Sequence, residues 1–427
     1  MIATTLILLL VLIGISIPVG AALGVLGLLL DPLFSMLPLS RALGELSWST
    51  SNEFLLVAIP LFVMLGEILL RAGFAERMYA SMSQWLSWLP GGLMHANIGA
   101  STLFAATSGS SVATAATVGT VAIPQIKRYG YNEPLFLGSI AAGGTLGILI
   151  PPSINLVIYG VLTNSSVPQL YLAGFIPGFA LAVLFMAIVV VACLVKPEWG
   201  GQRITATWGE RISGLKHLLP PLGIFVMVVG SIYAGLATPT EAAALGVFGA
   251  LILAAVFKRL SLTMLREVME GTMRSTAMIM LIVVAASFLN FVMSATGVTT
   301  ALTESISGLG LSPGWMLLVV VIFYVVLGCF METLSMMIVT IPIVAPIMVG
   351  LGYDPIWLGI VIVVLVETAL ITPPVGMNLF VVQSLRKSGS MNAVILGSLP
   401  FVVALFAMVA LLAFFPGLAM WLPGVVG

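Results

Sequence analysis

Charge is what this sequence has least of. Only 7% of its 427 residues are Asp, Glu, Lys or Arg, against about 25% in soluble domains, so it cannot build a solvated surface. The few charges balance, 15 basic against 15 acidic, which excludes a basic nucleic-acid binder and an acidic tail protein. Two cysteines, Cys193 and Cys329, lie in apolar runs and build no disulfide framework. Two histidines, His95 and His217, are too few for a histidine-based metal enzyme. The period-two alternation of an outer-membrane barrel is also missing. Long apolar runs take its place: no charge lies between Glu133 and Lys196, and none follows Lys387. The composition, 60% hydrophobic, therefore specifies an all-α polytopic membrane protein with no soluble domain. The N-terminus lacks the positive start of a secretory signal, so it is read as a retained helix.

Apolar segments fall at about 2–30, 54–70, 92–107, 112–126, 134–163, 169–195, 218–236, 240–257, 275–297, 314–330, 333–350, 355–384 and 393–425. A crossing needs about 20 residues. The segments 92–107, 112–126, 314–330 and 333–350 reach only about 23–27 Å at 1.5 Å per residue. Each short pair reads as a re-entrant hairpin; two slightly short crossings are the plainer alternative. On this assignment Arg71, Arg77, Lys127, Arg128, Lys196, Arg203, Arg211, Lys216, Lys258, Arg259, Arg266, Arg274, Arg386 and Lys387 share one face, and only Arg41 lies on the other. The positive-inside rule makes the first face cytoplasmic, with the N-terminus inside and the C-terminus outside.

The two halves of the chain repeat. Ala21–Gly27 returns as Ala243–Gly249, Pro90-Gly91 as Pro313-Gly314, Gly130-Tyr131 as Gly352-Tyr353, Pro151-Pro152 as Pro373-Pro374, Asn155-Leu156 as Asn378-Leu379 and Pro177 as Pro400, at offsets of 222 or 223. Basic loops in one half match uncharged loops in the other, so the repeats are inverted. Repeat one spans residues 1–196, with a hairpin at about 92–126 and a broken helix at about 134–163. A cytoplasmic linker covers 197–216. Repeat two spans 217–427, with a hairpin at about 314–350 and a broken helix at about 355–384. Inverted repeats with broken helices mark secondary transporters that alternate access around a midplane site.

Four polar interruptions lie at membrane depth: the tips Ala105–Ser111 and Gly328–Ser335, and the breaks Gly143–Ser153 and Glu367–Asn378. A Pro-Pro pair removes two donors and frees carbonyls on the preceding turn. Such carbonyls and nearby hydroxyls are hard oxygen ligands for Na⁺. The half-helix beyond each break points its N–H groups at the same space, which suits an anion. The alternative is that Gly and Pro merely kink crossing helices. Carboxylate capture is expected from Ser110, Ser111, Asn155, Thr333 and Asn378, and Glu332 is placed with them in the substrate-binding set. Glu332 and Glu367 are intramembrane acids and so functional candidates, able to bind a cation or to stay protonated and hydrogen-bond a neighbour. Glu67 and Glu241 are placed near helix ends, and His95 at the interface. Met331, Met336 and Met337 are read as packing. Trp85 and Trp88 are read as an interfacial belt on a cytoplasmic arm helix.

Ser108–Ser111, Leu149-Ile150-Pro151-Pro152-Ser153 and above all Ile371-Thr372-Pro373-Pro374-Val375-Gly376-Met377-Asn378-Leu379-Phe380 resemble the large membrane subunit of tripartite ATP-independent periplasmic (TRAP) transporters, the DctM-like family. The resemblance covers essentially the whole chain. It implies an elevator-type fold in a bacterial cytoplasmic membrane and Na⁺-coupled uptake of carboxylate-bearing solutes, with at least two Na⁺. It implies two partners, a small four-helix membrane subunit and a periplasmic substrate-binding protein; the small subunit is expected as a separate chain. The family's sodium sites carry over to Ser108, Ser110, Gly144 and Pro151, and to Gly328, Thr368, Thr372 and Met377. Glu332 departs from the small polar or Asp residue expected at the second tip. A stand-alone Na⁺/divalent-anion symporter of related two-hairpin architecture, and a polytopic membrane enzyme, are the other readings.

Overall fold

The computed structural model describes residues 1–15, 17–202, 206–308, 310–328, 331–386 and 388–426. The tip residues Cys329 and Phe330 and the cytoplasmic-face residues Arg203 and Lys387 lie outside the described residues. Among the described residues there are twenty α-helices and no strand. In order they are α1 (Ile2–Gly14), α2 (Val19–Phe34), α3 (Leu43–Ser51), α4 (Ala58–Arg71), α5 (Phe74–Leu86), α6 (Leu93–Ser108), α7 (Ser111–Tyr129), α8 (Glu133–Thr145), α9 (Ile154–Thr163) and α10 (Val167–Val195). There follow α11 (Trp208–Tyr233), α12 (Pro239–Val256), α13 (Leu262–Ala295), α14 (Val298–Ser307), α15 (Pro313–Gly328), α16 (Thr333–Gly350), α17 (Pro355–Ile371), α18 (Met377–Ser384), α19 (Met391–Phe414) and α20 (Gly417–Val426). Seven helices among the described residues are long and apolar enough to cross a membrane: Phe54–Arg71, Val167–Val195, Trp208–Tyr233, Pro239–Val256, Leu262–Ala295, Thr333–Gly350 and Met391–Phe414. The protein is a multi-pass membrane protein.

Capping residues explain where several helices begin. The Asn132 side-chain Oδ1 accepts from Leu135 N–H ahead of α8, and the Asp354 carboxylate accepts from Ile356 and Trp357 N–H ahead of α17. Thr238 and Glu241 form a capping box, so Glu241 serves the start of α12. A second box, Thr207 with Glu210, starts α11 at Trp208, inside the stretch read as linker. The apolar segment expected at 275–297 is longer, because α13 extends back to Leu262 through Arg266 and Arg274. Arg266 pairs there with Glu270 one turn on, at 2.8 Å.

Helices approach closely where glycines permit. A Cβ on Gly138 of α8 would overlap the carbonyl of Gly397 on α19, and one on Gly397 would overlap that of Pro134. A Cβ on Gly27 of α2 would lie 2.8 Å from the Phe288 ring on α13. Two ion pairs tie distant elements. Arg71 bonds Glu67 at 2.9 Å and Glu267 at 2.7 Å, joining α4 to α13. Arg386, its side chain only 3% exposed, bonds Glu133 at 2.6 Å, joining the turn after α18 to the start of α8.

His95 faces protein on all sides. It is fully buried, with Nε2 2.7 Å from the Pro90 carbonyl oxygen, because the chain turns at Gly91 and Gly92 and folds α6 inward. Trp88 is exposed, whereas Trp85 is partly covered and donates to the Arg211 carbonyl at 3.1 Å. Met336 and Met337 are wholly buried in the core, and Met331 nearly so.

Candidate functional site

Helices α6 and α7 form a helical hairpin whose turn is two residues long. Gly109 ends α6 in the left-handed region at φ 59°, and Ser110 caps α7, its hydroxyl accepting from Ala113 N–H at 3.4 Å. Ser108 Oγ lies 3.1 Å from Thr114 Oγ1, which donates to the Ser110 carbonyl at 2.7 Å. Ser111 is buried as the first residue of α7.

The first break faces this tip. Helix α8 ends at Thr145, a 3₁₀ turn covers Leu146–Ile148, and Pro151-Pro152 interrupts the chain before α9. The Ser153 hydroxyl donates back to the Ile148 carbonyl at 2.5 Å and accepts from Leu156 N–H, so it both closes the break and caps α9. Backbone meets backbone here: a Cβ on Gly109 would lie 3.0 Å from the Pro152 carbonyl oxygen, and one on Gly147 2.6 Å from that of Ser110. Helix α10 closes the other side, where a Cβ on Gly174 would lie 2.8 Å from the Leu149 carbonyl oxygen and 3.7 Å from Pro151. Ser108, Ser110 and Pro151 are therefore assembled around one junction.

In the second half the end of α15 meets α17. A Cβ on Gly328 would overlap Ala369 of α17, so the last residue of α15 packs against that helix. Glu332 caps α16: its carboxylate accepts from Ser335 N–H and Oγ at 3.2 Å each and from the Thr333 hydroxyl at 3.1 Å. It holds the place on its hairpin that Ser110 holds on the first. Thr368 and Thr372 donate to the Val364 and Thr368 carbonyls at 2.8 and 2.6 Å. Their hydroxyl oxygens keep lone pairs for a cation. The chain leaves α17 at Thr372, passes Pro373-Pro374 and restarts at Met377. Both Pro-Pro peptide bonds are cis.

The two breaks are interleaved through matched asparagines, each the second residue of its distal half-helix. Asn378 Nδ2 donates to the Ala141 carbonyl on α8 at 3.2 Å. Gly144, one turn along, leaves room for that amide; a Cβ there would lie 3.0 Å from Nδ2. Asn155 Nδ2 reaches the other way, to the Met337 sulfur on α16 at 3.3 Å. Gly144 of the first cation set is thus beside Asn378 of the carboxylate set.

Several buried oxygens have no hydrogen-bond partner among the described residues: Asn378 Oδ1, Ser101 Oγ and both carboxyl oxygens of Glu367. Buried polar atoms normally find partners, so these are open acceptors. Ser101 was absent from the sequence-derived set. A Cβ on Gly143 would lie 2.8 Å from its hydroxyl, so it faces the same stretch of α8. The signal available in sequence was the row Asn97, Ser101 and Ser108 at helical spacing along one face of α6. The arrangement offers hydroxyls, carbonyls and amides, with the starts of α7 and α9 meeting at the first junction. That chemistry can hold a hard cation and an anion together.

The family model for the DctM component of tripartite ATP-independent periplasmic transporters matches residues 6–418. The C4-dicarboxylate TRAP transporter large permease protein DctM of Pseudomonas aeruginosa is 36% identical over 388 residues, covering 91% of this chain and 90% of that one. The sialic acid TRAP transporter large permease protein SiaM of Vibrio cholerae is 32% identical over 374 residues, covering 87% of each. The ectoine TRAP transporter large permease protein TeaC of Halomonas elongata is 31% identical over 368 residues, covering 86% of each. Among solved structures, the Alcanivorax borkumensis YdaH transporter shares the fold, with a TM-score of 0.59 at 18% identity, covering 94% of this chain and 96% of that one. These relatives are named as permeases, and the membrane-enzyme reading is set aside. A match across nearly the whole chain makes it a member of the DctM family, the large permease component of TRAP transporters.

Proposed function

We propose that this chain is the transport subunit of a Na⁺-coupled importer in the bacterial cytoplasmic membrane. It takes a carboxylate-bearing solute from a periplasmic substrate-binding protein and works beside a small four-helix membrane subunit. Its halves are inverted repeats, with the N-terminus cytoplasmic and the C-terminus periplasmic, and the hairpin-bearing part slides against the remaining helices as an elevator.

The observation that carries this reading is the contact of a helix end with a broken helix in each half, Gly109 on Pro152 and Gly328 on Ala369. One cation is assigned to Ser108, Ser110, Gly144 and Pro151, and a second to Gly328, Thr368, Thr372 and Met377. The carboxylate is assigned to Ser110, Ser111, Asn155, Thr333 and Asn378, each at the start of a helix. Glu332 borders this set with its carboxylate turned onto its own helix, where it narrows the second tip to the incoming anion. Two or more Na⁺ suit the energetics, since each charge moved across 100 mV is worth about 2.3 kcal/mol. An anion entering a negative cell then needs company of greater positive charge.

The test is uptake into vesicles containing this chain and its small membrane subunit, with the binding protein and its ligand outside. Uptake should require an inward Na⁺ gradient. An equal rate without Na⁺ would sink the coupling, and uptake by this chain without binding protein would favour the stand-alone symporter.

A further inference from the structure

An apolar slot of about 320 Å³ runs between the second hairpin and helices α1, α2, α13 and α14. Its walls are helix faces. Met316, Val320, Phe323 and Leu327 of α15 recur at helical spacing, and Leu302 and Ile306 of α14 do the same opposite them. Between Met316 and Leu327 the slot follows about 16 Å of helix, so it is elongated along α15. It opens on the outer surface, since Val319 and Phe323 line it and are 47% and 41% exposed.

The lining decides what can enter. Its two hydroxyls are already committed: Thr5 donates to the Met1 carbonyl at 3.1 Å, and Thr340 donates to that of Met336 at 2.7 Å while meeting Tyr324 OH at 2.6 Å. Water needs two to four polar partners to occupy a cavity and finds few here. A cavity of this size accommodates an organic ligand, pockets for which run from about 300 Å³ upward. The first hairpin has the matching space filled by protein, with Phe104 packed among Ala75, Met78 and Leu218.

We propose that this slot binds an acyl chain of a membrane phospholipid, held lengthwise between α14 and the second hairpin. A chain of methylenes matches the length, the absence of offered polar groups and the opening toward the bilayer. The binding site stands apart from the transport reading. Its consequence for rate rests on that reading: a hairpin that slides past α13 and α14 must drag, reshape or expel the chain lodged there.

The full-length protein is placed in vesicles of phosphatidylethanolamine and phosphatidylglycerol doped with a phosphatidylcholine bearing a diazirine near one acyl terminus. After irradiation, labelled peptides are mapped by mass spectrometry. Labelling is expected at Leu302 and Ile343 inside the slot and at the exposed Val183 of α10, and not at the buried Leu23. Leu302→Trp, which fills the slot, loses the label at Ile343 and keeps it at Val183. Ile343→Phe, a smaller filling change, loses the label at Leu302, so the result does not depend on one variant folding. Slot labelling no higher than at Leu23, or undiminished in both variants, overturns the proposal. So does labelling that disappears when the small membrane subunit is added, which would hand the slot to a protein partner. The readout needs no turnover, so its failure is separable from a failure of Na⁺-coupled uptake.

Discussion

The side-chain amide of Asn378 donates to the backbone carbonyl of Ala141 across 3.2 Å, tying the second broken helix to the crossing helix of the first. The bond joins residues 237 positions apart and leaves Asn378 Oδ1 buried and open. One residue thus both locks the two halves together and presents an acceptor where cation and substrate sites are proposed.

Asn378→Ala should lower stability by about 1–3 kcal/mol, the cost of a buried carbonyl left without its donor. Uptake should fall much further than the loss of folded protein explains. Thermal unfolding in detergent together with vesicle uptake separates the two effects; uptake that merely tracks the folded fraction would remove Asn378 from the site.

The α8–α19 crossing admits no side chain. Gly138→Ala or Gly397→Ala forces a methyl into main-chain atoms, and overpacking of this sort costs about 1–3 kcal/mol or more. Gly424→Ala, in open space on α20, serves as the control. The expected ranking in detergent melting is wild type and Gly424→Ala together, with both crossing variants clearly lower.

The Arg386–Glu133 pair is lopsided, with side chains 3% and 45% exposed. Arg386→Met should therefore destabilise more than Glu133→Gln. Hydrogen bonds to charged groups contribute about 1.5–3 kcal/mol, and Arg386 also bonds Gln383 and the Ser390 carbonyl. A double-mutant cycle should show coupling between the two positions; strictly additive losses would mean the pair is incidental.

Ser110 and Glu332 cap corresponding hairpin helices by different chemistry. Ser110→Ala should cost about 1 kcal/mol as a lost cap and also weaken Na⁺ dependence, because its oxygens face the first junction. Glu332→Gln keeps an acceptor for Ser335 and should leave folding nearly intact. If Glu332 restricts the second tip through its charge, the apparent affinity for the anionic solute rises in Glu332→Gln. An unchanged affinity would confine Glu332 to capping.

Much of this architecture was legible in sequence because each signal is local. Pro151-Pro152 and Pro373-Pro374 cannot continue a helix, so both breaks were readable, as was the turn at Gly109-Ser110. Helix starts were harder. The capping box Thr207–Glu210 begins α11 well before its apolar run, and α13 begins on a charged face that apolar scanning skips. The burial of His95 was not readable, because a lone histidine after Pro-Gly-Gly carries no mark of the inward turn that covers it.

The sequence by itself determined that the chain lives in a membrane and where its helices break, since a scarcity of charge and the missing donors of proline act wherever the chain goes. Only the tertiary structure decided which polar atoms meet. Asn378 with Ala141, Asn155 with Met337 and Gly109 with Pro152 are pairings between separate segments. They depend on how closely helices can approach, and that closeness is set by glycines whose facing partners no local pattern reveals.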